Sequence, residues 1–348
     1  MRLLPLAGAL LFALAGAADP QQVVIRSASA VSFPAPVDSN SPALWMGGQF
    51  TLYNSTGLGP VRNIGANQFN LWQSQPVVLG PSIHRPYWIE ATWVDEDGSI
   101  FAWYHHEPPG VCGSLPLTAP EIGALISTDG GASFMDLGII LQSGYAPDCS
   151  SQNGYFAGGH GDFSVALGRS RKYFYFLFSN YSGPPESQGI AVARLPFERR
   201  NNPFGAVEKY YQGDWLEPGI GGNVTAIFPA NVIWSRSDAD AFWGPSVHWN
   251  TYLKSFVMLL NHSCCSPGWP QDGVYISYNR SLAEPANWTT PVKILDGVGW
   301  YPQVLGLGGN GTDKQAGRVA RLYVGGTSNW ELQFEEEATP VMPAGQKY

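Results

Sequence analysis

The sequence is poor in charge, and this scarcity excludes several classes of protein. Only 13% of its 348 residues are Asp, Glu, Lys or Arg, which is about half the usual share. With 19 basic against 27 acidic residues and no cluster of Lys or Arg, the chain lacks the positive surface by which nucleic acids are bound. Its 44% of apolar residues is too high for a disordered chain. We therefore expect a folded protein that does not bind nucleic acid.

Long apolar runs are also scarce. After the N-terminus, no window approaches the roughly 18 apolar residues of a membrane-spanning helix. The run from Leu3 to Leu14 follows Arg2 and is itself followed by small residues at 15–17, a pattern typical of a cleaved secretory signal peptide. We expect a signal peptide at 1–18 and a single secreted domain at 19–348, monomeric and free of the membrane after cleavage.

Cysteine is rare, with four residues in the chain. Export permits disulfides, and a bridge between Cys112 and Cys149 is expected because both lie in loops at similar places relative to neighbouring strands. Cys264 and Cys265 are adjacent, so they form either a vicinal bridge or an unpaired couple. The C-x₂-C spacing of zinc sites is missing, and no metal site is predicted.

Asn-x-Ser/Thr sequons are more frequent than chance would give. They predict a glycoprotein of a eukaryotic secretory route, whereas a bacterial exported protein with accidental sequons is the alternative. The sequon residues are Asn54, Asn180, Asn223, Asn261, Asn279, Asn287 and Asn310.

Glycine, proline and aromatic residues are abundant, with 41 Gly, 28 Pro and 13% aromatics. Gly and Pro interrupt every long helical window, and short β-rich runs lie between them. One type of run recurs five times, at 41–45, 89–93, 163–167, 245–249 and 302–306. Since each is followed by a turn and further strands, we predict an all-β fold, a five-bladed β-propeller of four-stranded antiparallel blades. An early strand at 23–26 would close the ring, and a β-sandwich is the alternative.

A local motif supports the propeller. Residues 127–134, Ser-Thr-Asp-Gly-Gly-Ala-Ser-Phe, resemble the Asp-box, S-x-D-x-G-x-S/T-F/W, of sialidase-like propellers. Its Asp and Gly residues shape a tight turn and its aromatic residue packs into the blade. We interpret it as structural.

Alternation along the recurring strands separates an apolar face from a polar face. In a propeller these strands surround the central channel, so their polar ends would converge at one mouth. Asp38, Glu90 and Asp162 would meet there, and carboxylates that share a crevice shift each other's pKa and so supply an acid and a base. The alternative is a hydrogen-bonded polar filling of the channel.

Further polar and aromatic residues would line this mouth and bind substrate. His105 and His106 are neighbours on a strand, so they point to opposite faces and do not share one ligand. A metal set of His105, Glu107 and His160 is not enforced by any ligand spacing. The candidates for substrate binding are Asn40, Trp88, His105, His106, His160, Trp243, His248, Tyr301 and Gln303.

The chain resembles the five-bladed propeller glycosidases of glycoside hydrolase families 43, 62, 117 and 32. The stretch 161–165, Gly-Asp-Phe-Ser-Val, is similar to the D-P-S-V strand of the third blade in family 43, and 37–42 stands where that family places its first-blade aspartate. The resemblance implies that Asp38 is the general base and that Asp162 tunes and orients the acid.

The resemblance departs from the family at the general acid, which is a Glu in an E-G-P context on the fourth blade. Trp243-Gly244-Pro245 stands there, so the acid would be Glu217 or Glu90. The implied function is a secreted glycoside hydrolase acting on an extracellular polysaccharide or oligosaccharide. The alternatives are a non-catalytic carbohydrate-binding propeller and a sialidase-like enzyme or lyase. Some relatives hold Ca²⁺ in the channel, and no other cofactor is expected.

Overall fold

The computed structural model describes residues 22–80 and 84–335, so the signal peptide predicted at 1–18 lies outside the described residues. Its strands form five small, mostly antiparallel sheets that are the blades of a β-propeller, as predicted. Some blades carry a fifth or sixth short strand. Within the described ranges, no helix has the length and apolar character to span a membrane.

The strands follow one another blade by blade along the chain. β1 (Gln22–Ser32) precedes blade 1, which contains β2 (Ala43–Met46), β3 (Gln49–Thr56), β4 (Gly59–Asn67) and β5 (Asn70–Pro76). Blade 2 contains β6 (Val78–Leu79), β7 (Tyr87–Val94), β8 (Ile100–His106), β9 (Glu121–Ser127) and β10 (Ser133–Leu141). Blade 3 contains β11 (His160–Leu167), β12 (Tyr173–Asn180), β13 (Gly189–Pro196), β14 (Glu208–Tyr211), β15 (Asp214–Pro218) and β16 (Phe228–Pro229).

The last two blades interlock. Blade 4 is built from β17 (Ala241–Asn250), β18 (Ser255–Ser263), β19 (Gln271–Asn279) and β20 (Val292–Asp296). Blade 5 uses β21 (Gln303–Gly306), β23 (Val319–Val324) and β24 (Thr327–Glu335), while the short β22 (Gln315–Ala316) between them pairs in parallel with β17. Short 3₁₀ turns occur at Pro185–Ser187, Phe197–Arg199 and Pro285–Asn287.

The ring is closed by the first strand of the chain. β1 pairs antiparallel with β24, so blade 5 has the order β1-β24-β23-β21. This confirms the predicted closing strand. The pairing covers the edge of β24, which would otherwise be open to other chains.

The core lies between adjacent blades, because each sheet is covered on both faces. The second strand of each blade is therefore apolar in nearly every position, as in β12, whose sequence is Tyr-Phe-Tyr-Phe-Leu-Phe-Ser-Asn. Phe174, Phe176 and Phe178 are fully buried, and Trp103 of blade 2 meets Phe176 edge-on at 5.7 Å. Each such side chain contributes about 1.5–3 kcal/mol by its burial.

The Asp-box forms the turn between β9 and β10. The Asp129 carboxylate accepts hydrogen bonds from the amides of Ala132 (3.1 Å) and Ser133 (2.9 Å) and from the hydroxyls of Ser127 and Ser133. Burial would raise the pKa of Asp129, but these hydrogen bonds outweigh it and lower the pKa to about 2. Phe134 is buried in the blade, which agrees with a structural role.

The two cysteine pairs form two disulfides. Cys112 and Cys149 are bridged, which confirms the predicted pair. Cys264 and Cys265 form a bridge between neighbouring residues, one of the two alternatives left open by the sequence.

Burial removes four of the seven predicted glycosylation sites. Asn54, Asn180, Asn261 and Asn279 are at most 4% exposed. The amides of Asn54, Asn180 and Asn279 donate to groups of the fold instead; the Asn180 Nδ2 atom, for example, donates to the carbonyls of Ser182 and Ser187. A glycan on these amides has no room in the folded chain. Asn223, Asn287 and Asn310 keep accessible side chains, and glycosylation there remains a prediction.

Candidate functional site

A β-bulge recurs in the first strands of blades 2, 3 and 4. In β7 the register with β8 shifts by one residue between Ile89 and Ala91, so Glu90 is the extra residue. In β11 the same shift falls between Gly161 and Phe163, and Asp162 is the extra residue. Bulges re-aim a side chain and are common beside active sites. Here they place two carboxylates against each other in the channel.

Glu90 is the most deeply buried of these acids and is fully enclosed. Its Oε1 atom lies 3.1 Å from Nδ1 of His105, and its Oε2 atom accepts the amide of Phe163 at 2.9 Å. On its other side, His105 Nε2 lies 3.4 Å from Oε1 of Glu107, a contact that is too poorly aligned to count as a hydrogen bond. The imidazole is thus held between two carboxylates.

Asp162 has a left-handed backbone, with φ of 42°, and is almost fully buried. The Tyr181 hydroxyl donates a short hydrogen bond to its Oδ2 atom. The Asp162 amide lies 3.2 Å from His105 Nδ1, and it can donate there only when that nitrogen carries no proton. When Nδ1 is protonated, it donates to Glu90 instead.

Asp38 approaches from blade 1, in the segment between β1 and β2. Its backbone amide donates to the carbonyl of Ser55 at 2.8 Å. Its side chain is exposed to solvent on one side and faces protein groups on the other. Trp88 stacks obliquely on His105, with ring centroids 5.4 Å apart. Tyr301 lies close enough to Asp38, Glu90 and Asp162 for their charges to act on its hydroxyl.

Asp38, Glu90, Glu107 and Asp162 form a carboxylate cluster, and three of its members, Asp38, Glu90 and Asp162, have raised pKa values. Burial raises the pKa of Asp162 to about 7; the charge of His105 opposes the rise and that of Glu90 adds to it. Burial, and then the charges of Asp162 and Glu107, raise the pKa of Asp38 to about 6. Burial likewise raises the pKa of Glu90. Crowded acids cannot all be ionised.

His105 counterbalances the cluster. Its burial disfavours the charged imidazolium, but the neighbouring Glu107 and Glu90 outweigh this and hold the pKa of His105 well above its ordinary value. A cation therefore lies among four acids.

Glu90, His105 and Asp162 also have the proximity of a metal set, since one ligand atom of each lies within 4.8 Å of the others. Calcium, which the family resemblance suggests, prefers six to eight oxygen ligands. Here two oxygens are already engaged, by the Phe163 amide and the Tyr181 hydroxyl, and the third donor is a nitrogen. The described residues fit calcium poorly, and no step is derived from it.

Glu217 lies away from the mouth, contrary to its suggested role as the general acid. It is on β15, at the outer side of blade 3, where its Oε2 atom accepts the amide of Asn223 at 2.7 Å. It also lies near the buried Lys209. Trp243 fills the position of the resembled acid, fully buried with its ring 5.6 Å from that of Tyr301.

Three of the predicted substrate-binding histidines also lie elsewhere. His106 faces the opposite side of β8 from His105, with Nδ1 2.8 Å from the carbonyl of Pro86. His160 is buried against Phe178, and burial holds its pKa well below the ordinary value. His248 is buried farther along β17, where burial lowers its pKa to about 3.

Asn40 and Gln303 hold the blades together around the channel. The Asn40 amide donates to the carbonyls of Phe163 and Pro245, at 2.9 Å each, and so ties blade 1 to blades 3 and 4. Gln303 bonds the backbone amide and carbonyl of Ser41, joining blade 5 to blade 1. Gln303 is thus used by the fold at both ends of its amide, whereas Asn40 uses its Nδ2 atom for the fold and its buried Oδ1 atom accepts no hydrogen bond.

The mouth therefore contains Asp38, Trp88, Glu90, His105, Asp162 and Tyr301 from the sequence prediction. It also contains Tyr181, which the sequence analysis missed, and Glu107, which it considered only as part of a metal set. Tyr181 is the first residue after β12, and Glu107 the first after β8. Both could have been found from the sequence, because each directly follows the second strand of its blade, and that strand ends at the same mouth.

Comparisons with known proteins support the fold. Neither a protein-family model nor a curated protein matches the sequence. Among solved structures, a thermostable family-43 glycoside hydrolase is 10% identical with a TM-score of 0.52, covering 91% of this chain and 99% of its own. The endo-arabinase of Bacteroides thetaiotaomicron is 9% identical with a TM-score of 0.50, covering 88% and 96%.

A third structure, an exo-1,5-α-L-arabinanase from a bovine ruminal metagenomic library, is 11% identical with a TM-score of 0.50, covering 86% of this chain and 92% of its own. At such identities the likeness establishes a shared fold over nearly the whole of each chain. It agrees with the resemblance seen in the sequence to five-bladed glycosidases.

Proposed function

We propose that the protein is a glycoside hydrolase in which Asp162 is the general acid and Asp38 the general base. The observation that carries the proposal is the meeting of these two carboxylates, from blades 1 and 3, with pKa values raised to about 6 and about 7. Acid–base catalysis works best when the catalytic pKa lies near the working pH, and a pair with separated pKa values assigns the two roles.

The roles follow from the order of titration. Between about pH 6 and 7, Asp38 is mostly ionised and Asp162 mostly protonated. Asp162 would donate its proton to the leaving glycosidic oxygen, while Asp38 takes a proton from the attacking water, as in inverting glycosidases. His105 would stabilise the negative charge that then appears on Asp162.

Other acids fit the donor role less well. Both carboxylate oxygens of Glu90 are engaged, by His105 Nδ1 and the Phe163 amide. Glu217 lies on the outer side of blade 3, and the fourth blade offers Trp243. Glu107 is partly accessible but lies against His105 Nε2, at 3.4 Å, on the side of the imidazole away from Glu90. Asp162 is thus the acid that combines a raised pKa with a place beside the open Asp38.

The proposal includes a carbohydrate substrate outside the cell. Trp88 and Tyr301 lie at the mouth but are buried, so a sugar would meet only their edges. The signal-like segment 1–18 and the Cys112–Cys149 bridge support secretion. Because two structural neighbours are described as arabinan-degrading enzymes, arabinan and its oligosaccharides are the first substrates to test, followed by other furanosides and pyranosides.

The test is a hydrolysis screen of the mature protein across pH. We expect a bell-shaped dependence of kcat/KM, falling below about pH 6 as Asp38 gains its proton and above about pH 7 as Asp162 loses its own. Asp38→Asn should abolish most of the activity, and the activity that remains should no longer fall on the acidic side of the pH profile. Asp296→Asn, at a side chain that is 90% exposed on β20, should leave the rate unchanged.

A non-catalytic carbohydrate-binding propeller is the second candidate. It is favoured by the near-complete burial of Glu90 and Asp162 and by Trp243 at the position of the resembled acid. It predicts that sugars bind without turnover and that Trp88→Ala weakens binding more than Asp162→Asn. Binding to a glycan array without any product in the screen would decide for this candidate.

A further inference from the structure

A second group of reactive side chains lies in blade 4, outside the carboxylate cluster. Strands β17 and β18 are antiparallel, with Ala241 opposite Ser263. Asp240 directly precedes the first of these residues and Cys264 directly follows the second. The topology therefore brings one carboxylate beside the Cys264–Cys265 pair.

These three residues have the geometry of a ligand set. One atom of each, a carboxylate oxygen of Asp240 and the Sγ atoms of Cys264 and Cys265, lies within 4.8 Å of the other two. The Asp240 Oδ1 atom is buried and accepts no hydrogen bond of good geometry. Its nearest polar partner is Nε2 of His262 at 2.9 Å, an ion pair rather than a well-aligned hydrogen bond. A carboxylate oxygen has two lone pairs, so Oδ1 can still bind a cation.

A histidine extends the group. The Nε2 atom of His262 lies 2.9 Å from Asp240 Oδ1, and its Nδ1 atom lies 2.9 Å from Oδ1 of Asp272. Asp272 is fixed in turn by Tyr275 at 2.9 Å and Lys293 at 3.0 Å. A carboxylate that orients a histidine next to the ligands is the usual second layer of a metal centre.

We propose that reduction of the Cys264–Cys265 disulfide opens a binding site for a soft divalent cation such as Zn²⁺ or Cd²⁺. Two molecules of a small thiol, RSH, would give two cysteine thiols and one RSSR. The cation would then displace the two thiol protons and bind both thiolates and the Asp240 carboxylate. In the oxidised form the sulfurs are bonded to each other and offer no thiolate, which is the form of cysteine that binds metals.

The chemistry of the donors selects the cation. Thiolates favour zinc and other soft cations over calcium and magnesium, and zinc is commonly four-coordinate. His262, already in contact with the ligating carboxylate, is placed to supply the fourth ligand or to orient Asp240. This site is separate from the carboxylate cluster and does not depend on the proposed glycosidase activity.

The experiment titrates Cd²⁺ into the mature protein before and after treatment with a phosphine reductant, following thiolate-to-cadmium absorption and calorimetry. We expect one Cd²⁺ per reduced chain at this site and none in the oxidised protein. The double variant Cys264→Ser, Cys265→Ser retains Cys112 and Cys149, so it measures any metal that those thiols bind after reduction. Equal binding by this variant and the reduced wild type would overturn the proposal.

Two variants that keep both cysteines test the remaining ligands. Asp240→Asn should weaken Cd²⁺ binding at least as much as His262→Gln, for which about a 10- to 100-fold loss is expected from the removal of an orienting partner. Near-ultraviolet circular dichroism, sensitive to the packed tryptophans, verifies that each variant is folded. Unchanged affinity in folded Asp240→Asn would refute the assigned ligand set.

Discussion

Blades 3 and 4 share a backbone device but differ in chemistry. Both first strands contain one extra residue relative to their partner strand. In blade 3 this residue is Asp162, aimed at the cluster of acids. In blade 4 the extra residue falls between Trp243 and Ser246, where Gly244 packs so closely on Asn261 that a Cβ atom would lie 2.5 Å from its amide nitrogen.

The difference shows that the same bulge can present very different side chains at the channel. In blade 3 the residue at the bulge is the carboxyl-bearing Asp162. Trp243, beside the bulge in blade 4, contributes to an aromatic cluster with Trp269, Trp300 and Tyr301 at 5.4–5.7 Å. Under the proposed function, blade 3 would supply the acid and blade 4 an apolar wall.

The largest expected effect comes from removing the acid of blade 3. Asp162→Asn cannot donate a proton, so kcat/KM should fall by about 10²–10⁴-fold, the usual contribution of a general acid. The measurement is initial rates on the best substrate of the screen, with Asp296→Asn as the exposed control. Retention of more than a tenth of the activity would exclude Asp162 as the acid.

The second prediction asks whether blade 4 can be given the Glu that the resembled family has there, in place of Trp243. Trp243→Glu restores the Glu-Gly-Pro order but removes a fully buried ring, for which a loss of about 3–5 kcal/mol of stability is typical. We expect a strongly lowered unfolding midpoint in denaturant and no gain in activity. Trp72→Glu, at a side chain that is 57% exposed, should change stability by less than about 0.5 kcal/mol.

A gain of activity in Trp243→Glu would contradict the contrast drawn above between blades 3 and 4. It would mean that blade 4 still has the geometry of a catalytic blade and that the aromatic wall replaced an acid without other rearrangement. The ratio of rates at matched folded fraction distinguishes this outcome from a simple loss of fold.

The sequence predicted the ring because its determinants are local and repeated. Five apolar runs with turns after them indicate five blades, and the early strand found its place in blade 5. Asp38, Glu90 and Asp162 were recognisable as rare acids at corresponding strand ends. A weakly charged chain makes such positions conspicuous.

The errors have physical causes that a single sequence does not show. His160 was assigned to the face of Asp162 by alternation, but Asp162 is itself the extra residue of the bulge, so its side chain does not follow the alternation of the strand. Glu217 was misplaced because blade 3 has an additional outer hairpin, β14–β15. Part of the excess of sequons has a structural source, since Asn54 and Asn180 lie near the ends of second strands, where their amides donate to side-chain or backbone oxygens of the fold.

A smaller effect should sharpen the role assigned to blade 3. Tyr181→Phe removes the hydrogen bond that stabilises ionised Asp162, so the pKa of Asp162 should rise. As the acid must be protonated, the alkaline limb of the kcat/KM profile should move to higher pH, by about one unit. A uniformly lower profile without a shift would show that Tyr181 only supports packing.

The smallest effect concerns a turn far from either blade's bulge. Asp129→Asn weakens the hydrogen bonds of the Asp-box and should cost about 1 kcal/mol of unfolding free energy at pH 7. Because the folded pKa of Asp129, about 2, lies below its unfolded value near 4, the wild-type advantage is present above pH 4. It should disappear as the pH falls toward 2. Denaturant unfolding at pH 7 and pH 3 measures this, with Glu96→Gln, on an exposed turn of the same blade, as the control. An equal cost at both pH values would mean that the turn depends on the shape of the side chain and not on its charge.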